Sequence, residues 1–449
     1  MNNRPKQETQ FEVIVAGAGA GGVCAALSAA RTGARTLLLE KAREIGGTGV
    51  HSPVSLICKF HGRDHRPINI GIHRELFPHA YLHSTWDKRA TAPRLTYDEK
   101  ELAAAYRRLL AAEANLTVRT GCGVAGLSRD GRLLCGVQCD DGSAFDAASF
   151  VDATADGNLS ALAGCRSSIG RTGDGALQSA TLVFAMGGID KARLRVPEFS
   201  TRGGLQSLWN ELTALYKEAK ARGETQNPKN SVVCFPYPDG ERLLFNANEV
   251  VGVNPVEPGA EAKAMETGRV FVEELVAILR RHPAFAEAKL EFVAAKMGIR
   301  EGRRVLGDYT LTQEDCLGEA RFGDMVAACA YEIDIHDPDG GPTRMIDIPG
   351  SGYYHIPYRS LIAADADNLL LGSRCISGTH EAHSSYRVIS GVSAIGQAAG
   401  TAAALAACYA AGEARAIKPA WIRHVLREQV QFVEGSVEPP PDWKGPPLA

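Results

Sequence analysis

The chain has 449 residues and a formal net charge of −3, with Lys and Arg dispersed along it. A chain of that length folds as two or three domains, and the near-neutral balance argues against a nucleic-acid partner. Its eleven Cys include no CxxC and no spacing with His that suits a metal. Neither a zinc site nor a disulfide scaffold is expected, and a cytoplasmic setting is.

Residues 1–10 are polar and lack the apolar stretch of a secretory signal, so they read as a tail. Residues 11–16 form an apolar strand that runs into Gly17-x-Gly19-x-x-Gly22. Small residues continue as a helix to 31, and a second apolar strand over 35–39 ends on Glu40. This order of strand, glycine turn, helix and strand is the unit that holds the ADP half of a dinucleotide. Gly17 permits the turn, Gly19 and its neighbour Ala20 admit a pyrophosphate, and Gly22 lets the helix pack on the strand. The helix N-terminus then presents free N–H groups to the phosphates. Glu40, followed by Lys41, is placed to accept from the adenosine ribose hydroxyls, and its carboxylate disfavours a 2′-phosphate. The unit alone leaves FAD and NAD both open. Gly46-Gly47-Thr48-Gly49 is a second glycine cluster whose loop can approach the flavin side of a dinucleotide. His51, His61, His65, His73, His79 and His83 follow at irregular spacing and read as surface or substrate-facing side chains.

An amphipathic helix is expected over 97–113, a strand over 116–120 and a meander over 121–144. From about 171 to 347 the Gly and Ala clusters thin out. Helices (207–222, 261–281) alternate there with strands (231–235, 241–246). The small-residue texture returns over 350–411. The expected organisation is a nucleotide domain in two segments, 11–170 and 346–415, with a substrate domain over 171–345. A C-terminal helix and Pro-rich tail occupy 416–449. The stretch 388–411 comes nearest to a membrane span, yet it holds Ser, Gly and Gln and reads as a buried core helix.

Four further segments carry a family resemblance. Val151-Asp-Ala-Thr-Ala-Asp-Gly157 is similar to a VDATGDG turn, with Ala155 in place of Gly. Met297-Gly-Ile-Arg-Glu-Gly-Arg-Arg-Val-Leu-Gly-Asp-Tyr-Thr-Leu311 is similar to GIRESRRIxGxYxLT, with Gly302 in place of Ser. Residues 354–361 and 368–374 look like the strand that ends in a flavin-contacting turn at Arg374. Residues 375–383, Arg387 and Gly396-Gln-Ala-Ala-Gly400-Thr401 look like the closing helix. Together with the opening unit, these resemble the FAD-dependent oxidoreductases of the two-dinucleotide-binding-domain flavoprotein superfamily, in a bacterial branch.

The resemblance implies an α/β fold: a Rossmann-like FAD/NAD(P)-binding domain with an inserted mixed α+β substrate domain. It implies FAD rather than NAD, and no second GxGxxG occurs. It adds Asp152, Ala153, Thr154, Asp156, Arg374, Gly396, Gly400 and Thr401 to the expected cofactor contacts. The closing helix would point its N-terminus at the flavin, where its dipole stabilises negative charge.

With flavin carrying the redox step, the protein must bind substrate and manage one proton. Arg300 and Arg304 would share a helix face, and with Arg387 they suit an anionic substrate. His380 and His383 are the expected proton carriers, with Tyr386 and Tyr358 as alternatives. The expected activity is hydride transfer between a small, possibly anionic molecule and flavin N5, by a dehydrogenase or oxidase. A flavin monooxygenase and a non-catalytic dinucleotide-fold binding module are the alternatives. The electron acceptor stays open, and no membrane span is expected.

Overall fold

The computed structural model describes residues 10–81, 96–195, 202–434, 439–443 and 445. Of the expected tail over 1–10, residues 1–9 lie outside the described residues, as do His83 and parts of the Pro-rich end, while Gln10 belongs to the first strand. The opening unit forms as β1 (Gln10–Ala16), α1 (Ala20–Arg31) and β2 (Thr36–Glu40). Then follow α2 (Glu99–Ala111), β3 (Leu116–Thr120), β4 (Val124–Asp130), β5 (Leu133–Cys139) and β6 (Ala144–Asp152). Asp98 caps α2, accepting from the amides of Lys100 and Glu101, which is why that helix starts there.

Strands β3, β2, β1 and β6 lie side by side and parallel. Val13 of β1 stands between Thr36 and Ser149. Both faces are covered, so the middle strands read as unbroken Val, Ile and Leu. The chain leaves β1 toward β2 on one side, and β6 sits on the other. That reversal opens a crevice at the carboxyl ends of β1 and β6, where open α/β sheets place their ligands.

A second apolar core draws on residues between 180 and 297. Its antiparallel sheet has the order β10-β7-β9-β8, with β7 Phe184–Gly187, β8 Cys234–Pro236, β9 Arg242–Phe245 and β10 Lys289–Val293. Helices α3 (Arg202–Ala221) and α4 (Ala260–Leu279) share that core. Residues from Val305 to Ile335, which composition placed with 171–345, contribute to the first core.

The chain then returns to the first sheet. Strand β11 (Leu369–Leu371) pairs parallel with the last three residues of β6, while β5 occupies the same strand's beginning. Helix α5 (His380–Tyr386) leads into α6 (Ile389–Tyr409). The most apolar window of α6 is 89% buried inside the molecule, so its hydropathy is that of a core helix. The result is a mixed α/β fold on a parallel sheet, as the sequence implies.

Candidate functional site

A cleft of about 250 Å³ opens at the carboxyl ends of β1, β2 and β6. Gly17, Gly19, Ala20, Glu40, Lys41, Gly47, Thr48, Ala153, Thr154 and Arg374 all line it. Sequence reasoning missed Cys122, Gly123, Val124, Asn158, Leu159 and Lys296, which line it too. These come from loops, the start of β4 and the short helix Asn158–Leu162, whose positions depend on how the chain packs and not on a local motif.

The turn is close-packed backbone. A Cβ on Gly22 would lie 1.7 Å from the Gly17 carbonyl oxygen, and one on Gly47 would lie 2.7 Å from Gly19 Cα. A Cβ on Gly19 would meet only Gly47 Cα, at 3.7 Å, an ordinary contact. The fold therefore tolerates Gly19→Ala, but the extra methyl occupies cleft space at the start of α1. We expect an unchanged melting temperature for the cofactor-free variant and FAD binding weakened by roughly 10- to 100-fold, from an overpacking penalty of about 1–3 kcal/mol. Fluorescence titration of the stripped protein with FAD measures it.

Helix α1 begins with no side-chain cap and no acidic residue in its first turn. Its first N–H groups are thus left for an anion, aided by the helix dipole. Glu40 accepts from the amides of Ala18 (2.7 Å) and Ala42 (2.9 Å). A carboxylate offers about four lone-pair positions, so acceptor capacity remains for a ribose. Ala155 lines the cleft with φ +67°, the left-handed region that the family's Gly would adopt without strain.

Several expected contacts stand elsewhere. Gly46 and Gly22 shape the turns without lining the cleft. Asp152 is fully buried and its carboxylate accepts from the amides of Thr154 (3.0 Å) and Ser160 (2.7 Å), fixing the turn after β6. Asp156 pairs with Arg374 at 2.7 Å. A Cβ on Gly302 would lie 2.0 Å from the Asp156 carboxylate, so the missing Ser makes room for that pair. Gly396 and Gly400 do not face the cleft. Their would-be Cβ atoms fall 2.1 Å from Gly21 O and 2.0 Å from Ala25 O, and Thr401 meets Ser28 at 2.7 Å. These three residues pack α6 onto α1.

A second, inner chamber of about 170 Å³ adjoins the cleft. Thr48, Gly49, Arg374, Arg387 and Ile389 belong to both walls. Arg387 donates to the backbone carbonyl (3.1 Å) and the carboxylate (3.3 Å) of Asp334. Arg300 also lines the chamber, 8% exposed, donating to Ser179 O at 2.6 Å and to Asn246 Oδ1 at 3.4 Å. Burial, then the nearby Arg387 charge, pushes the Arg300 guanidinium down to about 10. Tyr331, Asp334 and His336 complete the polar wall. None of these three was singled out in the sequence.

Arg300 and Arg304 do not share a helix face. Residues Arg303–Val305 form a strand paired with Ser167–Ile169, and the flanking Gly298 and Gly302 disfavour a helix. Arg300 reaches the chamber, whereas Arg304 lines neither cavity. It ion-pairs with Glu301 and donates to the carbonyls of Gly378 (3.0 Å) and Gly170 (2.6 Å). His380 lines neither cavity either, its Nδ1 lying 2.9 Å from the same Glu301. His383 is fully buried, and neither ring nitrogen has a partner among the described residues. Burial, then the charges of Arg304, Arg374 and Arg387, holds it well below the usual histidine range. The hydroxyls of Tyr386 and Tyr358 donate to Ile376 O (3.1 Å) and Ala414 O (2.9 Å), so both are occupied.

FAD fits this arrangement. The uncapped helix, the glycine cradle and the acid at the end of β2 suit its ADP half. Where cleft and chamber meet, the buried Nε atoms of Arg374 and Arg387 have no partner among the described residues. Fold and site define a dinucleotide-binding redox protein. Residues 12–426 match the family described as FAD dependent oxidoreductase, and the chain belongs to that family, with FAD as its cofactor. Among solved structures it is similar to a geranylgeranyl bacteriochlorophyll reductase-like protein from Thermoplasma acidophilum, at 13% identity over 88% of this chain and 78% of that one, TM-score 0.41. It is also similar to GidA of Aquifex aeolicus (14% identity, 89% and 64% of the chains, TM-score 0.43) and to the flavin-dependent brominase Bmp2 (12%, 91% and 81%, TM-score 0.45).

Proposed function

We propose that the chain is a dehydrogenase or oxidase that moves a hydride between a small organic anion and flavin N5. The observation that carries this is Arg300. Arg374 is balanced by Asp156 and Arg387 by Asp334, but Arg300 is buried with only neutral partners among the described residues. Asp334 and Glu249 act on Arg300 only through space, so this buried cation lacks a contacting counter-charge, which is costly. A substrate carboxylate in the chamber would supply that charge. The chamber's volume slightly exceeds the roughly 150 Å³ that holds a benzene, which favours a substrate of few carbons.

FAD supplies two-electron chemistry when bound. The protein's part is to hold the substrate's carboxylate on Arg300 and to exclude water with Val54, Leu56 and Val183. Residues 180–297 act in this reading as the substrate-side unit. A cytoplasmic setting is supported by the absence of any disulfide among the eleven cysteines.

The test is anaerobic bleaching of the flavin band by a panel of small carboxylates and their neutral amides. Arg300→Gln should raise KM for the reactive acid roughly 10- to 100-fold, the worth of a charged hydrogen bond, without lowering the melting temperature. If a neutral amide reduces the flavin as well as its acid, the anionic reading fails.

A further inference from the structure

Five ionisable groups run in line from the core of the second unit to the wall of the inner chamber. Lys229 and Glu249 pair at 3.0 Å, their side chains 7% and 2% exposed. Glu249 Oε1 also lies 3.3 Å from His336 Nδ1, and His336 Nε2 lies 3.6 Å from Asp334 Oδ1. Asp334 in turn holds Arg387 at 3.3 Å and accepts from the Tyr331 hydroxyl at 3.0 Å. His336 is fixed through its backbone too, its amide donating to Gln178 Oε1 at 3.3 Å. It follows the short strand Ile333–Ile335 and lines the chamber.

This order sets the imidazole's state. A neutral ring has one N–H, and only the Glu249 contact is within hydrogen-bond reach. Nδ1 therefore carries the hydrogen and donates to Glu249. Nε2 keeps its lone pair, with no donor within hydrogen-bond reach among the described residues. Two influences oppose each other. Burial, then the positive charge of Arg300, lowers the ring's proton affinity, while Asp334 and Glu249 raise it, and the net shift is downward. Glu249 remains a carboxylate, because contacts from His336 and Lys229 outweigh its own burial and hold it at about 2. The ring is thus neutral at neutral pH. A proton gained at Nε2 would sit between two carboxylates whose charges Lys229 and Arg387 already balance.

We propose that His336 is the catalytic base of the reaction proposed above, and that the substrate is a small acid bearing a hydroxyl or amine on the carbon next to its carboxylate. Arg300 and His336 are electrostatic neighbours on one chamber wall. Both side chains face one small chamber, so an acid held by Arg300 can present its adjacent carbon to Nε2. In the oxidising direction the C–H bond and the O–H or N–H bond break, and C=O or C=N forms. Both electrons leave with the hydride to FAD, and the proton goes to His336 Nε2. Glu249 is a positioning residue: it fixes the tautomer, and Lys229 keeps it ionised.

The first test needs no turnover. Oxalate, a dianion with no hydrogen to give, is titrated into the holoenzyme by calorimetry in buffers of differing ionisation enthalpy. The histidine Cε1–H signals are followed by NMR with pH. Oxalate is expected to raise the His336 midpoint by about one unit or more and to take up protons on binding near neutral pH. His336→Asn should still bind oxalate yet take up no proton. Its flavin reduction by a reactive 2-hydroxy or 2-amino acid should fall roughly 10²- to 10⁴-fold and lose the decline seen below the His336 midpoint. Glu249→Gln should shift that midpoint without abolishing binding. If His336→Asn takes up protons as before, or keeps the acid limb of the pH profile, the proposal is overturned while the anionic reading stands. If oxalate does not bind and no carboxylate reduces the flavin, the underlying reading fails with it.

Discussion

Glu301→Ala is expected to lower stability by about 3–5 kcal/mol, the cost of leaving a buried charge without its partner. The Glu301 side chain is wholly buried and that of Arg304 is 4% exposed. Removing the carboxylate strips a partner from Arg304, from His380 Nδ1 and from the Gln178 amide at once. Arg304 would then keep only two backbone carbonyls for a full positive charge. Glu301→Gln retains an acceptor and should lose less. The double variant Glu301→Ala with Arg304→Met removes both charges and should recover part of the loss, as coupled neighbours do. Thermal unfolding followed by circular dichroism measures all three. A Glu301→Ala protein of unchanged melting temperature but abolished turnover would return Arg304 and His380 to the chemistry.

Gly400→Ala should destabilise by about 3 kcal/mol, at the upper end of what overpacking does. Alanine is the better helix former by about 1 kcal/mol, so a pure propensity effect would have the opposite sign. The new methyl would fall 2.0 Å from the Ala25 carbonyl oxygen, a backbone atom of α1 that cannot move alone. Gly396 and Gly400 are one helical turn apart and stack on one face, so α6 must tilt or withdraw as a unit. Urea unfolding of the variant, with Ala407→Gly as a substitution near the end of the same helix, separates contact from propensity. A gain in stability for Gly400→Ala would mean that the two helices are not in backbone contact.

What could be read from the sequence was local. The strand, turn, helix and strand over 11–40 announce themselves through contiguous apolar runs and glycine spacing. Helix α6 was legible as core because its polar residues are small. The chain of Lys229, Glu249, His336, Asp334 and Arg387 was not, since its members are far apart in sequence and meet only through tertiary packing. A helical period does not hold for Arg300 and Arg304, because their segment enters a strand, where neighbouring side chains diverge. Gly396 and Gly400 match the family's cofactor pattern, although glycines four apart, facing a helix made of Ala and Gly, equally announce close helix packing. That signal was present in Ala20–Arg31 and was outweighed by the family pattern.

The contact between α1 and α6 joins residues 20–31 to residues 389–409, which the ribosome makes long afterwards. Until residues 389–409 have left the ribosome, Gly21 and Ala25 of α1 lack the surface they pack against, and the part of the cleft wall formed by Ile389 and Val392 is missing. Growing chains therefore lack a competent cradle until α6 has emerged, and flavin loading follows that step. A truncation before α6 would yield colourless protein even with every glycine of the opening motif intact.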